Sequence, residues 1–147
     1  MNTPTDSPRP SLPPGASLAR RLGALLYDAL LLFGVLFAAN LLLVPFIGTA
    51  DPSRPHPLLT LYDLSVVYLF YAWFWVHGGQ TLGMKTWKLR LIADDGRPVG
   101  WRRATLRFLA ACISLAAFGL GWLWVLLDRD RLAWHDRLSG TRVIRTS

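Results

Sequence analysis

The sequence predicts an all-α membrane protein: two full transmembrane helices, a third apolar region and a small cytoplasmic β-hairpin or sheet. Three observations carry this. Leu22–Val44 is a 23-residue apolar run, about 34 Å long at 1.5 Å per residue, enough to cross a bilayer core of about 30 Å. Two further apolar stretches follow. Basic residues gather between and after these stretches, the charge pattern of a cytoplasmic face. The chain has 147 residues, 52% of them hydrophobic, which points to a single membrane domain.

Residues 1–17 hold five of the ten prolines and too few apolar side chains to bury a core, so they read as a disordered cytoplasmic tail. The membrane domain is expected over residues 18–147. Its first span runs from about 19 to 44 and ends at Pro45 and Gly48. This run is too long for a signal-peptide core, contains Asp28 and lacks a small-x-small cleavage site before Pro45. The second span, about 58–77, opens near Thr60-x-x-Asp63, which reads as a capping box, and stops at Gly78-Gly79.

Residues 78–103 are too polar to cross. Trp87, Leu89 and Leu91 alternate with Lys88 and Arg90, and Asp94-Asp95-Gly96 supplies a turn. The period of two predicts a strand, and Thr141–Ile144 is a candidate partner. The third apolar region, 104–127, is long enough to cross once. Sixteen cations divide as three up to Arg21, one in 45–57, six in 78–103, Arg107, and five after Leu127. With the N-terminus inside, a third crossing would place the last five outside, against the positive-inside tendency. A break at Phe118-Gly119-Leu120-Gly121 would give two short helices, about 104–117 and 120–127, re-entering from the cytoplasm. A third full span is the alternative. The segment 128–147 would be cytoplasmic if the region re-enters.

Charge and chemistry narrow the function. All nine acidic residues are aspartates, and the net charge is +7. Because the cations flank apolar runs, the partner they imply is an anionic lipid bilayer, with no nucleic acid. The lone Cys112 excludes an internal disulfide. Gly78-x-x-x-x-Gly83-Met84-Lys85-Thr86 has one residue too many for a phosphate-binding loop and follows a helix, not a strand. Trp134-His135-Asp136 lacks companion ligands for a metal. No cofactor and no enzymatic site are expected, although a lipid-headgroup enzyme could hide among Asp128, Asp130 and Asp136.

Asp28 is the residue with most at stake. A carboxylate deep in a bilayer costs about 2.5–3.5 kcal/mol and is usually functional. Arg21 precedes it by seven residues, on nearly the same helix face but about 10 Å away along the axis, too far for a direct bond. The stripe continues through Ala24, Leu31, Val35 and Ala38, and Gly34-x-x-x-Ala38 permits close helix approach. One reading pairs Asp28 with Arg107, leaving the carboxyl group poised to carry a proton or monovalent cation. The other makes Asp28 a packing residue and Arg21 an interface anchor.

Three stretches, taken together, resemble the RDD family of small bacterial membrane proteins: Arg21-Leu-Gly-Ala-Leu-Leu-Tyr-Asp28; Gly79-Gln-Thr-Leu-Gly-Met-Lys85 with Leu89-Arg-Leu-Ile-Ala-Asp-Asp-Gly96; and Trp134-His-Asp-Arg-Leu-Ser-Gly-Thr141. The resemblance covers about residues 18–144. It implies that Arg21, Asp28 and Asp136 are the residues for which the family is named, and that Arg107 matches an arginine early in the third apolar region. It further implies a multi-pass protein of a bacterial inner membrane, with transport of ions or small solutes, cation/proton exchange included, as one suggested activity. Transport through so few spans would call for a homo-oligomer, with Asp28 and Arg107 at its site. The alternative is a non-transporting scaffold or accessory subunit for a partner membrane protein. On either reading Asp136 is expected to anchor the C-terminal segment through backbone N–H groups, Arg102 or Arg103.

Overall fold

The computed structural model describes residues 12–47 and 56–147. Helix α1 (Leu18–Ile47) and helix α2 (Pro57–His77) are both long and apolar enough to cross a membrane. α1 continues two residues past Pro45, beyond the expected end at Val44, because a proline in the last turn removes only one helical hydrogen bond. Much of its second half is open: Phe33, Phe37, Leu42 and Phe46 are all exposed. Gly34 faces open space, so the small-residue stripe meets no helix among the described residues.

The expected capping box of α2 is not formed. The helix begins earlier, with Pro57 in the first turn and His56 as N-cap, a position where the missing proline N–H has no consequence. Thr60 Oγ1 donates back to the His56 carbonyl at 3.2 Å. Asp63 instead accepts from Asn40 Nδ2 at 2.8 Å, tying α2 to α1 through two polar side chains set within apolar helices. The loop of residues 48–55 lies outside the described residues, as do residues 1–11 of the expected tail.

Gly78 and Gly79 end α2 as expected. Gly79 adopts φ +66°, and a Cβ there would lie 2.7 Å from the Leu91 carbonyl oxygen. The chain then enters short helix α3 (Leu82–Thr86) and strand β1 (Leu89–Ala93). Leu89, Leu91 and Ala93 are buried while Arg90 is exposed, the alternation read from the sequence. The Asp94–Gly96 turn does not close a hairpin. β1 pairs antiparallel with β2 (Thr141–Arg145), Leu91 opposite Val143.

Helix α4 (Trp101–Ala116) and helix α5 (Leu120–Leu123) are bent by 106° at the predicted break, and a 3-10 turn (Trp124–Leu126) follows. Phe118 and Gly119 both take positive φ, which reverses the chain; Phe118 is 95% exposed at the tip. Helix α6 (Trp134–Ser139) then returns against α4 and leads into β2. Leu89, Leu91 and Val143 of the sheet pack with Ala24 of α1, Met84 of α3, Trp75 of α2 and Phe108 of α4 in one core.

The end of the expected tail is ordered. Gly15 N–H donates to the Asp130 carbonyl at 2.9 Å, and Ala16 N–H to the Val143 carbonyl at 2.7 Å. Ala16 is buried. The start of the described chain is thus hydrogen-bonded to its last strand, a contact that proline content gave no sign of.

Candidate functional site

Arg21, Arg107 and Asp136 meet in a buried cluster. The Trp134-His135-Asp136 turn opens α6, and Asp136 Oδ2 reaches back to the Ala133 N–H at 2.9 Å, which satisfies a free donor of the first turn. The same oxygen accepts from Arg21 NH1 at 2.6 Å, and Oδ1 accepts from Arg107 NH1 at 2.5 Å. Arg21 uses its remaining nitrogens on carbonyls: Nε to Ala16 at 3.0 Å and NH2 to Arg131 at 2.9 Å. Arg107 NH1 also donates to Thr141 Oγ1 at 3.0 Å, and its guanidinium lies 5.3 Å from the Trp75 ring centre, a cation–π distance. Asp136 therefore does anchor the C-terminal segment through a backbone N–H, but its arginines are Arg21 and Arg107. Arg102 and Arg103 do not reach it; Arg103 pairs with Asp95 on the surface.

The expected Asp28–Arg107 pair does not form. Asp28 Oδ2 accepts from Thr81 Oγ1 at 2.5 Å and Oδ1 from Gly83 N–H at 2.8 Å. Thr81 is the N-cap of α3 and also accepts from Met84 N–H at 3.2 Å. The carboxylate of α1 thus sits on the first turn of α3, where unpaired N–H groups favour an anion. The segment that narrowly misses the phosphate-loop spacing receives a carboxylate from its own chain. Gly83 is required for the approach: a Cβ there would collide with the Ala24 carbonyl oxygen and lie 2.8 Å from Asp28 Oδ1.

This packing changes the depth of Asp28. Below it, the Arg21–Ala24–Asp28 face of α1 is buried against the cap, while Leu22 and Leu26 on the other face are exposed. Above it, the 19 residues from Ala29 to Ile47 reach about 28 Å, close to a full bilayer core. That length alone would suffice for a crossing, with Asp28 at its end. Asp128, another candidate acid, pairs with Arg137 and accepts from Leu132 N–H at 2.8 Å.

Electrostatics explain why the cluster holds. Burial alone would raise the Asp136 pKa, but Arg107 and Arg21 outweigh it and keep the carboxyl group well below the usual carboxylate range. His135, also buried, is lowered to about 3, first by burial and then by Arg107, so it is neutral at pH 7. Its two ring nitrogens and Arg107 Nε find no hydrogen-bond partner among the described residues.

His135 gives a pH dependence with a definite sign. Its ordinary value is about 6.5; below that the unfolded chain takes up a proton that the folded chain refuses until about pH 3. Stability falls with pH across that window, by up to about 1.4 kcal/mol per pH unit. The contribution of Asp136 runs lower: it is complete above the unfolded carboxylate value of about 3.9 and fades only as pH falls towards the folded one. Thermal unfolding in detergent from pH 7 to 4 is expected to show a falling midpoint that His135→Leu flattens. An unchanged slope in that variant would assign the effect elsewhere.

Sequence reasoning found Arg21, Asp28, Arg107 and Asp136 but missed the grouping. It also missed Thr81, whose signal was its place just ahead of Leu82-Gly83 as a helix N-cap, and the bond to Asp63 from Asn40, the other strongly polar residue of the first span.

Two apolar membrane-length helices carrying a polar cap of short helices and a two-stranded sheet, locked by an Arg–Asp–Arg cluster, define a small multi-pass membrane protein. The model of the RDD family matches residues 15–140, and the chain belongs to that family. No curated protein matches it, and no solved structure does.

Proposed function

We propose that the chain is a non-enzymatic scaffold or accessory subunit of a bacterial inner membrane, whose family-signature residues lock its cap onto the membrane helices. The observation that carries this is that both oxygens of each carboxylate are held by donors of the chain. Asp136 receives three donors and Asp28 two, all from the chain itself. Two arginines beside a single carboxylate also disfavour a cation at the cluster.

Topology follows from the sheet. β1 precedes the third apolar region and β2 follows it, yet they pair directly. This supports a position of both ends of that region on one side of the membrane, and so re-entry over a third crossing. Ala16 bonds to β2 as well, which supports the same side for the start of α1. The arginines of the cap support a cytoplasmic position for that side. The exposed faces of α1 and α2, with Gly34 open, offer helix-packing surface to a second copy or a partner membrane protein.

Ion or small-solute transport, with Asp28 carrying a proton or monovalent cation, is the second reading. One feature favours it: a cavity of about 60 Å³ onto which Asp28, Arg21 and Arg107 all open. Asp28→Asn in sealed vesicles separates the two. The scaffold reading expects no ion-driven proton flux from the wild type above empty vesicles. It also expects a stability loss of about 1.5–3 kcal/mol in the variant, the worth of a hydrogen bond to a charged group. Wild-type flux that vanishes in a folded, equally abundant variant would establish transport instead.

A further inference from the structure

A larger cavity, of about 410 Å³, opens where the C-terminal end of α2, helix α3 and strand β1 meet, within the range of about 300–1,000 Å³ typical of small-ligand sites. Its wall is of two kinds. Trp73 and Leu82 are apolar lining residues, 55% and 45% exposed. Lys85 and Arg90 are charged lining residues, and both are exposed. Backbone bonds fix the wall. Leu91 N–H donates to the Gly79 carbonyl at 2.7 Å, and Gln80 Nε2 donates to the Leu89 carbonyl at 2.7 Å. The Gly79–Gln80 segment is thereby tied along β1, and Arg90 projects between its two attachments. The Arg90 side chain lies against Gly79: its Cγ and Nε are 3.5 and 3.7 Å from the place a Cβ would take there.

The chemistry of a ligand follows from that lining. Among the described residues, neither Lys85 nor Arg90 has a carboxylate partner. Asp94 and Asp95, the acids just after β1, pair with Arg142 and Arg103 instead. Two uncompensated cations in one open cavity attract an anion. A guanidinium can hold a phosphate through two parallel N–H bonds, and an ammonium adds a point charge. The same cations disfavour a headgroup that carries its own ammonium.

Position selects the rest of the ligand. α2 has 21 residues, about 31 Å in length, which matches a bilayer core of about 30 Å. A straight crossing brings its last turn to headgroup level. There the ring of His77 stacks on Trp73 with centres 3.9 Å apart, and such amphipathic rings favour the membrane–water interface. An anion that meets both the charged and the apolar wall at this level is an amphiphile.

We propose that this cavity binds the headgroup phosphate of an anionic glycerophospholipid, with Arg90 and Lys85 as donors and Trp73 and Leu82 beside the start of the acyl chains. The site uses neither the Arg–Asp–Arg cluster nor the Asp28 contacts, and it holds under the scaffold and transport readings alike.

The test is native mass spectrometry of the full chain in detergent, titrated with phosphatidylglycerol or phosphatidylcholine of equal chain length. Phosphatidylglycerol binds saturably, one per chain, and at least about fivefold more tightly than phosphatidylcholine, the worth of about one cation at an anionic surface. The double substitution Lys85→Gln with Arg90→Gln removes that preference. Its unfolding midpoint stays at the wild-type value, because both side chains are exposed and no ion pair is lost. Arg145→Gln, which deletes an exposed cap charge that does not line the cavity, keeps the preference. Excess glycerol 3-phosphate leaves the bound lipid in place. Equal affinity of the wild type for the two lipids overturns the proposal, as does a preference that survives the double substitution. A loss as large in Arg145→Gln would assign the effect to surface charge in general. Displacement by glycerol 3-phosphate would assign the cavity to a soluble phosphate, and either result overturns the lipid site.

Discussion

Asp136→Ala is expected to be the most damaging single substitution in this chain. It removes the only carboxylate between Arg21 and Arg107, whose side chains are 3% and 6% exposed, and leaves two buried cations facing each other. Breaking a buried ion pair from one side costs about 3–5 kcal/mol, and here two pairs break at once. A small domain has only about 5–15 kcal/mol in total, so the variant should accumulate poorly and unfold well below the wild type in detergent. The cause is electrostatic, which gives a second arm. Replacing all three residues, Arg21→Met with Arg107→Met and Asp136→Leu, removes the charges together and should recover part of the loss, as apolar replacement of buried ionic groups often does. Recovery will be incomplete, because Arg21 also holds the Ala16 and Arg131 carbonyls. A wild-type midpoint for Asp136→Ala would refute the cluster as a lock.

The second large effect is expected from a single methyl group. Gly83→Ala places a Cβ against the Ala24 carbonyl oxygen, which is backbone and has nowhere to swing, and 2.9 Å from Asp28 Cγ. Either α3 moves away from α1, breaking both Asp28 hydrogen bonds, or α1 bends. Overpacking of this kind costs about 1–3 kcal/mol, and each lost bond to the carboxylate adds about 1.5–3 kcal/mol. Gly100→Ala is the control, since a Cβ there meets open space. Thermal unfolding of the two variants side by side decides the matter: equal midpoints would mean that the α1–α3 approach tolerates a side chain.

Which features were legible in the sequence follows from how local they are. The two spans, the break at Phe118–Gly119 and the alternating strand at Leu89–Ala93 are set by patterns within a few residues, and the structure has all of them. Even the strand pairing could be guessed, because few polar segments remained to pair. Partner choice was different. Asp28 and Arg107 looked matched because each was a lone charge in an apolar run. Yet any buried charge takes the nearest donors that the fold presents, and for Asp28 those were the first turn of a five-residue helix. Periodicity cannot detect a helix that short. Asp63 was misread for a related reason. A capping box is a local signal, but the proline at position 57 started the helix early and left Asp63 inside it, free to bond Asn40 across the gap to α1.

The bond between Arg21 and Asp136 spans 115 residues of sequence, and that separation has a consequence in time. A ribosome adding roughly 5–20 residues per second releases Asp136 roughly 6–23 s after Arg21. Through that interval the first helix is already made while its guanidinium has no carboxylate. The cap closes only when the C-terminal strand arrives, so a chain truncated before α6 has membrane helices but no finished protein. Premature termination would then expose Arg21, Arg107 and the edge of β1 together, a combination that the complete fold buries.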